Sequence, residues 1–165
     1  MKKRVWGEIP VQTVLHSKDQ LKFKVLLMTP NIEKDEEAVK KLVESMFSYM
    51  DSNELDNFLS LAAEDVILLL PNMHSIHGIE AVKELVQPWF DTLSMIHELG
   101  ETEIKVDSDL AYVRYEWKER YWPKEGGETT RVELKGLIIL RREKDDTWKM
   151  TRSIWNRNPQ SDEQT

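Results

Sequence analysis

An α+β fold, with helices first and an antiparallel meander after them, is predicted by two features of hydrophobic period and one pattern of turns. Residues 35–50 and 79–93 repeat apolar side chains at steps of three and four, and from residue 95 onward the period drops to two. The strands so marked are separated by short polar turns at 107–109, 123–127 and 144–146, the kind that join antiparallel neighbours.

The first helix is written in Val39, Leu42, Val43, Met46, Phe47 and Met50, with Lys40, Lys41, Glu44 and Ser48 opposite. Carboxylates at Asp35, Glu36 and Glu37 favour a helix N-terminus there, through the helix dipole and the unpaired N–H groups. A polar break at 51–53 precedes a shorter helix carrying Leu55, Phe58, Leu59 and Ala62, with Ser52 or Asn53 as its cap. Residues 66–70 form a continuous apolar run closed by Pro71 and Asn72, the mark of a buried strand. The third helix, 79–93, has a nearly ideal core stripe interrupted by Pro88, and a bend there would tip Trp89 and Phe90 inward.

Four strands follow, of which 110–122 says most. Period two sorts it into Val113, Tyr115, Trp117, Glu119 and Tyr121 against Tyr112, Arg114, Glu116, Lys118 and Arg120. The first face is either a filled core or the wall of a ligand cavity, and a carboxylate on it must be paired, protonated or at an open rim. The last strand, 148–156, divides into Trp148, Met150, Arg152, Ile154 and Asn156 against Lys149, Thr151, Ser153 and Trp155. Large apolar groups on both faces predict a sheet covered on both sides, with a second subunit on the outer one.

A chain of 165 residues is one domain's length. The expected organisation is an N-terminal arm or hairpin over 1–30, the domain over 31–158 and a disordered tail over 159–165, whose polar composition buries nothing. With no cysteine, disulfides, thiolate metal sites and a cysteine nucleophile are excluded. The net charge is −7, and six basic against two acidic residues in the first thirty leave the remainder near −11. Such a surface repels phosphate, so nucleic acid is not an expected partner. The basic start lacks an apolar segment behind it, and no stretch approaches eighteen apolar residues, so no membrane partner is expected and the protein is read as cytoplasmic.

Glycine-rich nucleotide loops and the GxSxG elbow are absent. His74 and His77 form an H-x-x-H pair, but two ligands are too few for a protein metal site, so no metal and no cofactor are expected. Glu119 is the candidate catalytic group. Tyr49, Trp89, Tyr115, Trp117, Tyr121, Ser153 and Trp155 are the candidate ligand contacts, rings for apolar area and hydroxyls for orientation.

Several runs resemble the nuclear transport factor two-like superfamily, and within it the SnoaL-like and ketosteroid-isomerase-like domains. They are Ser108 to Arg114, Pro123 to Gly127 and Trp148 to Asn156, supported by Leu55-Asp56, Ala63 to Asp65 and Gly78 to Val82, within a match over 36–159. The resemblance implies a cone of curved antiparallel sheet wrapped around three N-terminal helices, a pocket inside the cone, and dimers formed through the sheet's outer face. Members include isomerases, dehydratases, cyclases and epoxide hydrolases beside domains that only bind or assemble, so fold leaves function open. Similar sequences often carry Asp at the position of Ser153, which has no base beside it in sequence.

Residues and resemblance together point first to a homodimeric domain that binds a small apolar molecule, with catalysis not required. The alternative is an isomerase, dehydratase or epoxide hydrolase type enzyme using Glu119 as general base on a small apolar substrate. A third reading is an association module alone.

Overall fold

In the computed structural model, residues 32–159 are described; the expected arm over 1–30 lies outside them, as does the expected tail apart from Pro159. The elements are α1 (Ile32–Asp51), α2 (Leu55–Ser60), β1 (Ala62–Leu69), β2 (Ile76–His77), α3 (Ile79–Thr92), β3 (Leu93–Asp107), β4 (Leu110–Pro123), β5 (Thr130–Arg142) and β6 (Trp148–Arg157). No helix among the described residues is long and apolar enough to cross a membrane.

Helix α1 begins a turn earlier than the acidic cluster predicts. Asp35 is not a solvated first-turn carboxylate: it is buried and lies 2.5 Å from the guanidinium of Arg142 on β5. The expected apolar stripe of α1 is buried as Val39, Leu42, Val43, Met46 and Phe47. Neither Ser52 nor Asn53 caps α2. Glu54 occupies the cap position without a side-chain cap bond, and Asn53, at φ 59°, accepts a hydrogen bond from Lys124 Nζ at 3.1 Å instead. Helix α3 contains Pro88 and buries Val82, Val86 and Phe90.

The six strands form one open sheet in the order β2-β1-β6-β5-β4-β3. Strands β3 to β6 are the expected antiparallel meander, while β1 joins its far side parallel to β6. The sheet is therefore mixed at that junction, because α3 and the whole meander intervene between the two strands. Helices cover one face, and α1 packs against β3 and β6.

Strand β6 departs from strict alternation. Ile139 pairs with Arg152 but Leu140 pairs with Met150, leaving Thr151 as an extra residue. At this bulge both Met150 and Thr151 are buried, and the phase reverses. Trp148 and Met150 thus share the inner face with Ser153 and Trp155, and Ile154 lies on the outer face, 39% exposed. The two-sided apolar pattern expected for 148–156 is a consequence of the bulge, so that pattern by itself does not argue for a covering subunit.

Candidate functional site

Along β4 the inner residues run from fully buried Val113 through Tyr115 and Trp117 at 2% and 7% exposure to half-buried Glu119 and Tyr121. The cone is filled at one end and open at the other. Between helices and sheet lies a cavity of about 280 Å³, at the small end of ligand-binding volumes. Strand β4 contributes Tyr115, Trp117, Glu119 and Tyr121, β6 contributes Ser153 and Trp155, and α3 contributes Trp89. Seven of the eight sequence candidates therefore meet on one cavity. Tyr49 does not, because α1 turns Met46, Phe47 and Met50 inward and leaves Tyr49 half-buried beside them.

The inner aromatics are packed on one another. Tyr115 and Trp117 stack with centroids 4.9 Å apart, and Phe47 lies 5.8 to 6.0 Å from both rings. The Tyr115 hydroxyl hydrogen-bonds Ser153, and burial raises its pKa above the ordinary tyrosine value, so it is a neutral group at the cavity's inner end. Opposite it Gly136 is required: a Cβ there would come within 3.0 Å of the Tyr115 hydroxyl and of the Ile154 carbonyl. At the rim, Arg157 donates to the Tyr121 hydroxyl at 3.3 Å.

Two functional candidates were not found from the sequence. His97 on β3 pairs with Glu119 on β4, and its imidazole has no exposed surface. Asp51, the last residue of α1, accepts both the His97 backbone N–H at 3.0 Å and the ring Nδ1–H at 2.6 Å. A carboxylate acceptor keeps the neutral ring's proton on Nδ1 and leaves Nε2 with a lone pair. Nε2 points to Glu119, 3.8 Å from Oε2, and has no hydrogen-bond partner among the described residues. The ring itself is shielded from the cavity by Phe47, 5.2 Å away, and Glu119. The signal was present: Leu93, Met95, His97 and Leu99 are an alternating inward face with a lone histidine on it. Its carboxylate partner 46 residues away was not readable from spacing.

The histidines weighed as metal ligands are elsewhere. His77 sits on β2 opposite Ile67, and His74 precedes it, both exposed. No group of three metal-binding side chains occurs among the described residues.

An open mixed sheet wrapped on three helices around a lined cavity defines an α+β cone domain of the nuclear transport factor two-like kind. The chain belongs to the SnoaL-like domain family, whose match covers residues 33–154. Among solved structures it is similar to a ketosteroid isomerase-like protein from Erwinia carotovora atroseptica SCRI1043, at 17% identity and TM-score 0.66, covering 76% of this chain and 98% of that one. A putative scytalone dehydratase from Novosphingobium aromaticivorans DSM 12444 aligns at 16% identity and TM-score 0.69, covering 79% and 89%. A hexachlorocyclohexane dehydrochlorinase from Novosphingobium barchaimii LL02 aligns at 16% identity and TM-score 0.66, covering 76% and 87%. At these identities the likeness is one of fold. No curated protein matches the chain.

Proposed function

We propose that the cone binds a small, mainly apolar molecule and that Glu119 transfers a proton to or from one of its carbon atoms. The observation that carries this reading is the Glu119 carboxylate, the single acid among the described residues that line a mainly apolar cavity, backed by the enclosed ring of His97 and, behind it, the carboxylate of Asp51. Sequence reading left Glu119 without a second catalytic group; His97 is positioned to be that group. A general base needs reach first and basicity second, and Glu119 lines the cavity directly. Tyr115, hydrogen-bonded to Ser153, supplies a neutral donor at the other end, suited to a carbonyl or hydroxyl oxygen of the ligand.

The named relatives lend support of a chemical kind. Isomerisation, dehydration and dehydrochlorination, the reactions in their names, can all begin by taking a proton from carbon. The reading also includes a second copy of this chain on the sheet's outer face, where Leu137, Ile139, Ile154, Tyr112 and Leu69 are each 37 to 41% exposed.

The test works without an identified substrate. The protein is incubated in deuterium oxide with a panel of cyclic ketones and of hydroxylated or halogenated cyclic hydrocarbons, and deuterium uptake at carbon or loss of the leaving group is followed by mass spectrometry. Glu119→Gln should lower turnover by about 10²-fold or more with binding retained, the usual scale for a positioned base. Turnover that survives the substitution would refute the role of Glu119.

A further inference from the structure

The mouth of the cavity carries a charge that proton transfer at Glu119 does not need. Arg157 is the single basic side chain among the described residues that line the cavity, in a chain whose net charge is −7. The β6 bulge sets it there: past Thr151 the inner face of β6 runs Ser153, Trp155 and Arg157, and all three line the cavity. Arg157 stands in register with Leu134 on β5, yet its guanidinium reaches the Tyr121 hydroxyl on β4 at 3.3 Å. The side chain therefore crosses β5, the strand between them, and lies as a bar over the open end of the cone. It makes no ion pair with Glu119 or with any other carboxylate among the described residues.

The hydrogen-bond directions in this bar leave donors facing the opening. A guanidinium can only donate, so Tyr121 accepts from Arg157 and keeps its own O–H free to donate. The other guanidinium N–H groups have no acceptor among the described residues. A planar fork of N–H donors matches the two oxygens of a carboxylate, and the phenol O–H beside it adds one more bond. Resting on the reading of the cone as a ligand site with Glu119 as its base, we infer that the ligand is a small cyclic carboxylic acid whose carboxylate is held at the mouth by Arg157 and Tyr121. Tyr121 stands two residues beyond Glu119, about 7 Å along β4, a distance that one small ring bearing a carboxylate spans. The ring then lies over Trp117 and Trp155, with its reacting carbon at Glu119 and its acid group outermost. Arg157 also offsets the repulsion between that acid group and Glu119. With one cation at the mouth and Glu119 nearby, a singly charged carboxylate is balanced and a doubly charged phosphate is not.

The test compares calorimetric binding of cyclohexanecarboxylate and 3-oxocyclohexanecarboxylate with that of their primary amides, which keep the shape and lack the charge. The full chain at neutral pH should bind each acid at least about tenfold more tightly than its amide, the scale of one charge-assisted hydrogen bond. Arg157→Gln should bring acid and amide together by weakening the acid alone, and Arg157→Lys should restore part of the gap. Tyr121→Phe should weaken the acids and spare the amides. Arg157 is exposed near the end of the last strand, so its variants should fold. Arg120→Gln, beside Tyr121 but on the sheet's other face, should leave the preference intact. Equal affinity for acid and amide in the unaltered chain, a preference that survives Arg157→Gln, or one that falls as far in Arg120→Gln would overturn the inference. Amides that saturate beside acids that do not would overturn it and leave the cavity a ligand site. An acid preference that depends on Arg157, in a protein that turns over nothing, would uphold it and refute only the proton transfer. If neither acid nor amide saturates, both fall.

Discussion

Tyr115 is held in place from three sides: stacked on Trp117, edge-on to Phe47, and with its hydroxyl against Gly136 and Ser153. Gly136→Ala should therefore destabilise the protein by about 1–3 kcal/mol, because neither a stacked ring nor a strand carbonyl can give way; chemical denaturation measures it. Tyr115 also titrates in a predictable direction. Its folded pKa lies above the ordinary value of 10.0 through burial, so the stability gained by keeping it neutral is complete below pH 10 and lost as pH rises further. Wild-type protein should lose stability above pH 10 more steeply than Tyr115→Phe, and parallel curves would show that the hydroxyl is not sequestered. The inner face of β4 was legible because alternation alone assigns it. His97 was missed for the opposite reason: its partner Asp51 comes from the end of a helix, and contacts between elements leave no local pattern.

At the scale of elements, Arg142 fastens the end of β5 to the start of α1. Its guanidinium reaches Asp35 at 2.5 Å and Asp146 at 2.8 Å, and stacks 4.6 Å over Trp148. Arg142 keeps Asp146 and Asp109 as partners when Asp35 is removed, so Asp35→Ala should cost about 2 kcal/mol in denaturant unfolding, the scale of one lost charge-assisted hydrogen bond. The acidic start of α1 was readable as a helix signal, but one of its carboxylates proves to be a buried tertiary contact, which composition cannot distinguish from a solvated first turn. The β6 bulge was hidden likewise, since a period-two reading assumes no extra residue. Deleting Thr151 would leave Trp148, Met150, Ser153 and Trp155 in strict alternation on the inner face, with Met150 and Arg152 still opposite Leu140 and Ile139. That variant should therefore retain a cooperative melting transition, and loss of cooperativity would show that the bulge itself is needed.

For the molecule as a whole, the outer face of the sheet carries two adjoining rows, Leu69, Ile154 and Leu137 in one, and Arg152, Ile139 and Tyr112 in the next. If a second copy covers these rows, sedimentation equilibrium at micromolar concentration gives twice the chain mass, and Ile154→Glu gives the single-chain mass. A single-chain mass for the wild type would remove the dimer. The order of elements and the division into helices and meander were legible because each spans many residues of consistent period. The parallel junction of β1 with β6 was not, since it depends on where the last strand returns.

The central claim, that the interior of the cone is a ligand site, is tested most directly by isothermal titration calorimetry at several temperatures with a panel of small cyclic ketones. One saturable site per chain with a negative heat-capacity change is predicted, as burial of apolar surface requires. Affinity should fall at least about tenfold in Trp117→Ala, by the cost of removing a buried ring from the contact, and remain unchanged in Ile154→Glu. Heats that never saturate for any member of the panel, or equal affinity in Trp117→Ala, would contradict it.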